Sequence, residues 1–230
     1  MLFSIIQSLM EGQPVSMVEV LAEILSMLFI IFCILPVHEW AHAWAAYKLG
    51  DTTAKSQGRM GLNPLVSFSP IGALFLLLFG FGWAKPVPID SRYFRNPRRD
   101  TALVSLAGPL SNLIVAWIGA LIFGGINAAT HWSAPAFVNY FFVAYVEINV
   151  ALAIFNLIPL PPLDGSKILG SFLSSRTLYN YYRYQNIIIM IAFVVLFTGV
   201  LNQPLDWLNR ACSMGVFWLG DLPYQLAGLL

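Results

Sequence analysis

Charged side chains are scarce in this sequence: 12 lysines and arginines and 11 aspartates and glutamates make up 10% of 230 residues. A soluble domain carries about a quarter, so a water-soluble globule is excluded. Cysteine is nearly absent. Cys33 lies inside an apolar run and Cys212 near the C-terminus, and two scattered thiols support neither a disulfide framework nor a metal cluster. A net charge of +1, with no basic patch interleaved with aromatics, offers no nucleic-acid surface. Residues Met1–Met10 have no basic segment ahead of their apolar residues and no evident cleavage site, so they do not read as a secretory leader. They are expected to lie along a membrane surface. No linker, low-complexity stretch or internal repeat divides the chain, so residues 1–230 read as one domain.

Apolar surface is abundant. Hydrophobic residues are 58% of the chain and the mean hydropathy is +0.73. Each membrane span needs about 20 residues, which leaves room for roughly five. The expected fold is an all-α polytopic membrane protein with about five to six transmembrane helices. Ser16 with Glu19 reads as a capping box opening a helix over 17–47, kinked at Pro36. The Thr-, Gly- and Ser-rich stretch that follows is expected to hold short strands at 52–64. Residues 68–83 are apolar but broken by Pro70, Gly72, Gly80 and Gly82. Further spans are expected over 102–126, 137–158 and 186–201, with a sixth span or an interfacial segment from Leu205 onward.

Eleven of the 12 basic residues fall in three loops: Lys48, Lys55 and Arg59; Lys85, Arg92, Arg95, Arg98 and Arg99; Lys167, Arg176 and Arg183. The positive-inside rule puts these loops in the cytoplasm and the N-terminus outside. Both loops flanking 68–83 are basic, so that segment is expected to dip into the membrane and return. Such a re-entrant element is tolerated where protein covers its backbone.

The chemistry sits at the end of the first apolar run, in His38-Glu39-Trp40-Ala41-His42. A His-Glu-x-x-His box on a helix places two imidazoles on one face, spaced to share a zinc ion, with the glutamate able to accept a proton from water. Ionisable groups at membrane depth are costly and point to function. A catalytic zinc usually takes a third protein ligand. His131 falls in the outside loop, on the wrong face. Asp164, in Asn156-Leu-Ile-Pro-Leu-Pro-Pro-Leu-Asp164-Gly165, follows the 137–158 span and reaches the cytoplasmic depth of His38 and His42 only if 68–83 is re-entrant. Asp before Gly is also ordinary turn chemistry. Pro159, Pro161 and Pro162 stop the helix and free backbone beside the metal. Glu147, inside a span, finds no role in the sequence.

These residues resemble the site-2 protease family of intramembrane zinc metalloproteases. Beside the His38–His42 box, Asn156, Pro159, Leu163, Asp164 and Gly165 match its Asn-x-x-Pro…Leu-Asp-Gly element. Gly108-Pro-Leu-Ser-Asn112 is similar to its Gly-Pro-x-x-Asn element, and Gly58-Arg59 with Leu62-Asn63-Pro64 to its Gly-Arg…Leu-Asn-Pro stretch. Phe81-Gly-Trp-Ala-Lys-Pro-Val-Pro88 and Arg95-Asn-Pro-Arg-Arg99 fit the compact branch without PDZ or CBS domains. The resemblance covers about 20–175. It implies one zinc per chain on His38, His42 and Asp164, with Glu39 as general base and Asn112 as a helper near substrate or oxyanion. Asn112 could equally bridge helices by hydrogen bonds. Where many relatives carry His and Asp after Leu-Asn-Pro, this chain has Ser67 and Ser69.

The implied activity is hydrolysis of peptide bonds in or near transmembrane segments of membrane-protein substrates. An extended substrate could pair with an edge strand within 52–64. The site would sit near the cytoplasmic face of a prokaryotic plasma membrane, with the lipid bilayer as the other partner and no nucleic acid. The sequence sets no oligomeric state. The alternative is a non-catalytic zinc-binding membrane protein, either a transporter or an inactive relative that binds transmembrane segments. A transporter would spread ionisable groups along a path; here they collect at one depth.

Overall fold

A computed structural model of the chain describes residues 16–79 and 84–229. The expected surface segment 1–10 and the tip of the dip, 80–83, lie outside the described residues. Helix α1 (Met17–Phe29) opens on the expected cap, with Ser16 Oγ accepting the N–H of Glu19 at 3.4 Å. It continues through a π-helical stretch, Ile30–Ile34, into α2 (Leu35–Lys48). The irregularity expected at Pro36 therefore takes a specific form. Proline has no N–H for the carbonyl one turn back, and just before it the Leu35 N–H reaches the Ile30 carbonyl in wide-turn geometry. Together the three pieces make one rod, Met17–Lys48, long and apolar enough to cross a membrane.

Where strands were expected at 52–64, the described residues form α3 (Thr53–Ser56), turns, and the start of α4 (Pro64–Ser67). Local capping decides this. Asp51 Oδ1 accepts the Thr53 N–H at 2.9 Å and Asn63 Oδ1 accepts the Leu65 N–H at 3.1 Å, which starts helical turns instead of a ladder. Helix α5 (Pro70–Phe79) has only 10 residues. Its flanks meet: the Lys85 N–H donates to the Ser67 carbonyl at 2.8 Å. The excursion thus returns to where it began. Ser69 contributes a cap, its Oγ accepting the Gly72 N–H at 3.2 Å.

Helices α6 (Pro97–Thr130) and α7 (Ala136–Leu157) are the other two rods long and apolar enough to span. They run antiparallel, joined by the Tyr145 hydroxyl donating to the Val115 carbonyl at 3.1 Å and by Phe123 stacked on Phe142. Helix α1 packs on α7, and α2 on the first half of α6. Three short helices follow, α8 (Asp164–Phe172), α9 (Ser175–Arg183) and α10 (Gln185–Phe197), then α11 (Asn202–Leu226).

Helix α11 lies along α6 in the same direction. Trp117 Nε1 donates to the Leu219 carbonyl at 3.4 Å, and the Tyr224 hydroxyl donates to the Leu121 carbonyl at 2.9 Å. The chain therefore leaves α7 and enters α11 on the same side of the bundle. Helix α10 has 13 residues, about 20 Å at 1.5 Å per residue, short of the roughly 30 Å hydrocarbon core. The expected fifth crossing at 186–201 is thus a shorter helix, ended by a turn that includes Gly199 at φ 72°. Among the described residues, three helices combine span length with apolar composition. Glu147 of α7 also gains a neighbour: Arg210 of α11, the one basic residue outside the three loops, is the cation acting on it.

Candidate metal centre

The expected ligands converge. His38 and His42 stand one turn apart on α2, their Nε2 atoms 3.1 Å from each other. Asp164 Oδ2 lies 3.5 Å from His38 Nε2 and 3.1 Å from His42 Nε2. One ligand atom from each residue falls within 4.8 Å of the others. His38, Glu39, His42 and Asp164 are only 5, 8, 5 and 7% exposed. Four buried ionisable groups in an apolar bundle are expensive unless they are paired or coordinate a metal.

The supporting shell fits a metal. His42 Nδ1 donates to the Val104 carbonyl at 2.7 Å, because a carbonyl can only accept. In the neutral ring this leaves the Nε2 lone pair aimed at Asp164 and His38, the tautomer a cation needs. Asp164 turns its other oxygen to Lys167 Nζ at 3.2 Å. Burial pushes the Asp164 carboxyl up, but the imidazoles beside it and the nearby Lys167 charge outweigh it and hold it well below the ordinary carboxylate range. It is the ionised form, the one that ligates.

Two glycines make this approach possible. A Cβ on Gly108 of α6 would lie 2.3 Å from His42 Nε2 and 2.6 Å from His38 Cε1. A bare backbone there leaves the space in front of both imidazoles open. A Cβ on Gly165 would lie 2.3 Å from the Leu157 carbonyl, so only glycine lets the Asp164 turn fold back against the end of α7. Asn112, one turn beyond Gly108 on α6, is fully buried, and neither its amide nitrogen nor its oxygen has a partner. His131 caps the far end of α6 at φ 48°. It stands 27 residues beyond Val104, about 40 Å along the helix, and takes no part.

The sequence did not point to what holds Glu39. Its Oε2 accepts the Val87 N–H at 2.9 Å. Val87 lies between Pro86 and Pro88, so its N–H is the only backbone donor of that tripeptide. The extended segment around it is fastened from several sides. Arg59 donates to the Lys85 and Pro86 carbonyls at 2.8 and 3.1 Å, and buried Asp51 accepts the Asp90 N–H at 2.7 Å. The Pro-Val-Pro pattern was the available signal, since it reads as extended backbone with one free donor.

Two imidazoles and a carboxylate around an open space, with a glutamate alongside, are the arrangement of a metal-dependent hydrolase, here carried by a helix long and apolar enough to cross a membrane. The family model described as peptidase family M50 matches residues 124–199, which take in Asp164 but not the His38–His42 box. The Bacillus subtilis (strain 168) protein YwhC, by name a candidate zinc metalloprotease, is 41% identical over 179 residues, covering 74% of this chain and 79% of that protein. Rip2 of Mycolicibacterium smegmatis, similarly named, is 28% identical over 220 residues, covering 91% and 77%. Rip2 of Mycobacterium tuberculosis is 27% identical over 219 residues with the same coverage. No solved structure matches the chain. The chain belongs to peptidase family M50, the site-2 protease family. It is accordingly a zinc metallopeptidase.

Proposed function

We propose that this chain cleaves peptide bonds in or near transmembrane segments of membrane proteins, using one zinc ion held by His38, His42 and Asp164. The observation that carries the reading is the meeting of Asp164 with the two imidazoles of α2 at 3.1 and 3.5 Å, with Glu39 one residue along the same helix. Bound zinc would supply Lewis acidity, bringing the ionisation of water down towards about 7.

Glu39 accepts the proton of the attacking water and passes it to the departing amide nitrogen. The Val87 N–H fixes one carboxylate oxygen of Glu39 and leaves the other free for that transfer. Asn112, buried and unpartnered one turn from Gly108, donates its amide N–H to the developing oxyanion, where exclusion of water strengthens the bond. His42 keeps its tautomer through Val104. Helix α5 packs against α1, and the irregular backbone at 158–163, beside Asp164, suits a path for water. The basic loops support a catalytic end at the cytoplasmic face with the N-terminus outside, and the reading takes the membrane to be a prokaryotic plasma membrane.

Glu39→Gln in the purified chain, with zinc content and cleavage of a single-span substrate both measured, tests the assignment. Zinc kept with cleavage lost supports it. Zinc and cleavage lost together would remove Glu39 from the base role and favour a non-catalytic zinc protein.

A further inference from the structure

Away from the metal centre, a shallow, open depression of about 550 Å³ lies between the first turn of α6 and α9. It is lined by Arg98, Ser175, Leu178, Tyr179, Tyr182 and Arg183. Two guanidinium groups, a hydroxyl and two phenols thus face one space with no carboxylate among them. Arg98 is anchored, donating to Ser175 Oγ at 2.6 Å and the Leu173 carbonyl at 3.3 Å. Arg183 is exposed, its guanidinium 5.6 Å from the Tyr184 ring centre.

The membrane depth of this depression follows from helix length. Helix α6 has 34 residues, about 51 Å, against a hydrocarbon core of about 30 Å. Its first exposed leucines are Leu103, Leu106 and Leu110, so Arg98 stands roughly 7–8 Å nearer the water, in the headgroup layer. Helix α9 shows the same boundary. Tyr179, Tyr182 and Tyr184 are exposed, as interfacial aromatics are. Beyond them α10 presents Ile187, Met190, Ile191 and Val194 to the apolar phase.

We propose that this depression binds the headgroup phosphate of an anionic phospholipid in the adjacent leaflet. The two arginines take the phosphate oxygens, and the serine and tyrosine hydroxyls face the polar remainder of the headgroup. The site is also placed to act on the metal centre. The Tyr181 hydroxyl donates to the Pro159 carbonyl at 2.9 Å, which ties α9 to the loop ahead of Asp164. Arg98 belongs to α6, which carries Val104 and Gly108 against the histidines. A phosphate shared by Arg98 and Arg183 clamps the two elements that bring Asp164 to His42, so occupied protein holds zinc longer. The inference rests on the membrane placement, and its primary readout needs no substrate.

The test uses the full chain in lipid nanodiscs of phosphatidylcholine, alone or with phosphatidylglycerol. Retained lipid is counted by native mass spectrometry, and zinc loss to a chelator is followed in parallel. Wild type should retain phosphatidylglycerol over phosphatidylcholine and lose zinc more slowly with it. Arg183→Gln should lower that retention about fivefold, the loss expected for one basic residue at an anionic surface. Arg176→Gln, on the same helix but outside the lining of the depression, should not. Soluble glycerol 3-phosphate should give no protection in phosphatidylcholine discs. Equal retention in wild type and Arg183→Gln would overturn the proposal. So would full protection by glycerol 3-phosphate without selective lipid retention, which would make this a site for a free phosphate ester.

Discussion

The same helices behave differently in their two halves. Away from the metal, α1, α6, α7 and α11 meet through aromatic rings: Phe29 with Phe141 and Tyr145, and Phe123 with Phe142 and Phe217. Gly119 lets Tyr145 lie directly against α6. Such contacts supply packing in a membrane, where small residues and ring edges let backbones approach. Near the metal, α2 and α6 bury His38, Glu39, His42, Ser105 and Asn112 instead. Several polar atoms there have no partner: His38 Nδ1, Ser105 Oγ and both amide atoms of Asn112. Buried polar atoms are otherwise paired almost without exception. Asn149 of α7 and Asn209 and Ser213 of α11 also carry a buried atom without a partner, so one half packs through rings while unpartnered polar atoms gather in the other.

Substitutions in each half should separate these tasks. Glu39→Gln should lower the cleavage rate by roughly 10²–10⁴-fold, the range for a general base, with zinc content and thermal stability unchanged. Asn112→Ala should lower kcat by about 10²–10³-fold, the loss of one oxyanion donor, again with zinc kept. A fall in thermal stability with kcat intact would make Asn112 a bridge between helices and would blur the division. Val87→Pro removes the N–H that holds Glu39, and should lower kcat by about 10–100-fold, the value of a hydrogen bond to a charged group. In the aromatic half, Gly119→Ala puts a Cβ 2.3 Å from the Tyr145 ring. It should cost about 1–3 kcal/mol of stability by overpacking, read by thermal unfolding in detergent. Zinc per folded chain should not change.

The meeting of His38, His42 and Asp164 was legible because its physics is local or topological. The spacing of His38 and His42 fixes one helix face, and charge bias with an expected turn-back of 68–83 pointed to Asp164 at their depth. The return of that segment is seen in the Lys85–Ser67 hydrogen bond. Long apolar helices were legible for the same reason. The strands expected at 52–64 were not, because Asp51 and Asn63 cap short helices there, and β-like composition does not reveal which side chain reaches which N–H. The 186–201 segment misled through apolarity alone: hydropathy counts residues but does not show that α10 stops after 13 of them. The Val87–Glu39 contact joins residues 48 apart in sequence, and no periodicity encodes it.

The most direct test of the account is the zinc content of the detergent-purified chain, wild type beside His38→Ala and Asp164→Ala. Wild type should carry about one zinc per chain, lost in both variants while the fold persists by circular dichroism. Zinc lost from His38→Ala but kept in folded Asp164→Ala would contradict it. The third ligand would then lie elsewhere, and the joining of α2 to the start of α8 would not be the metal site.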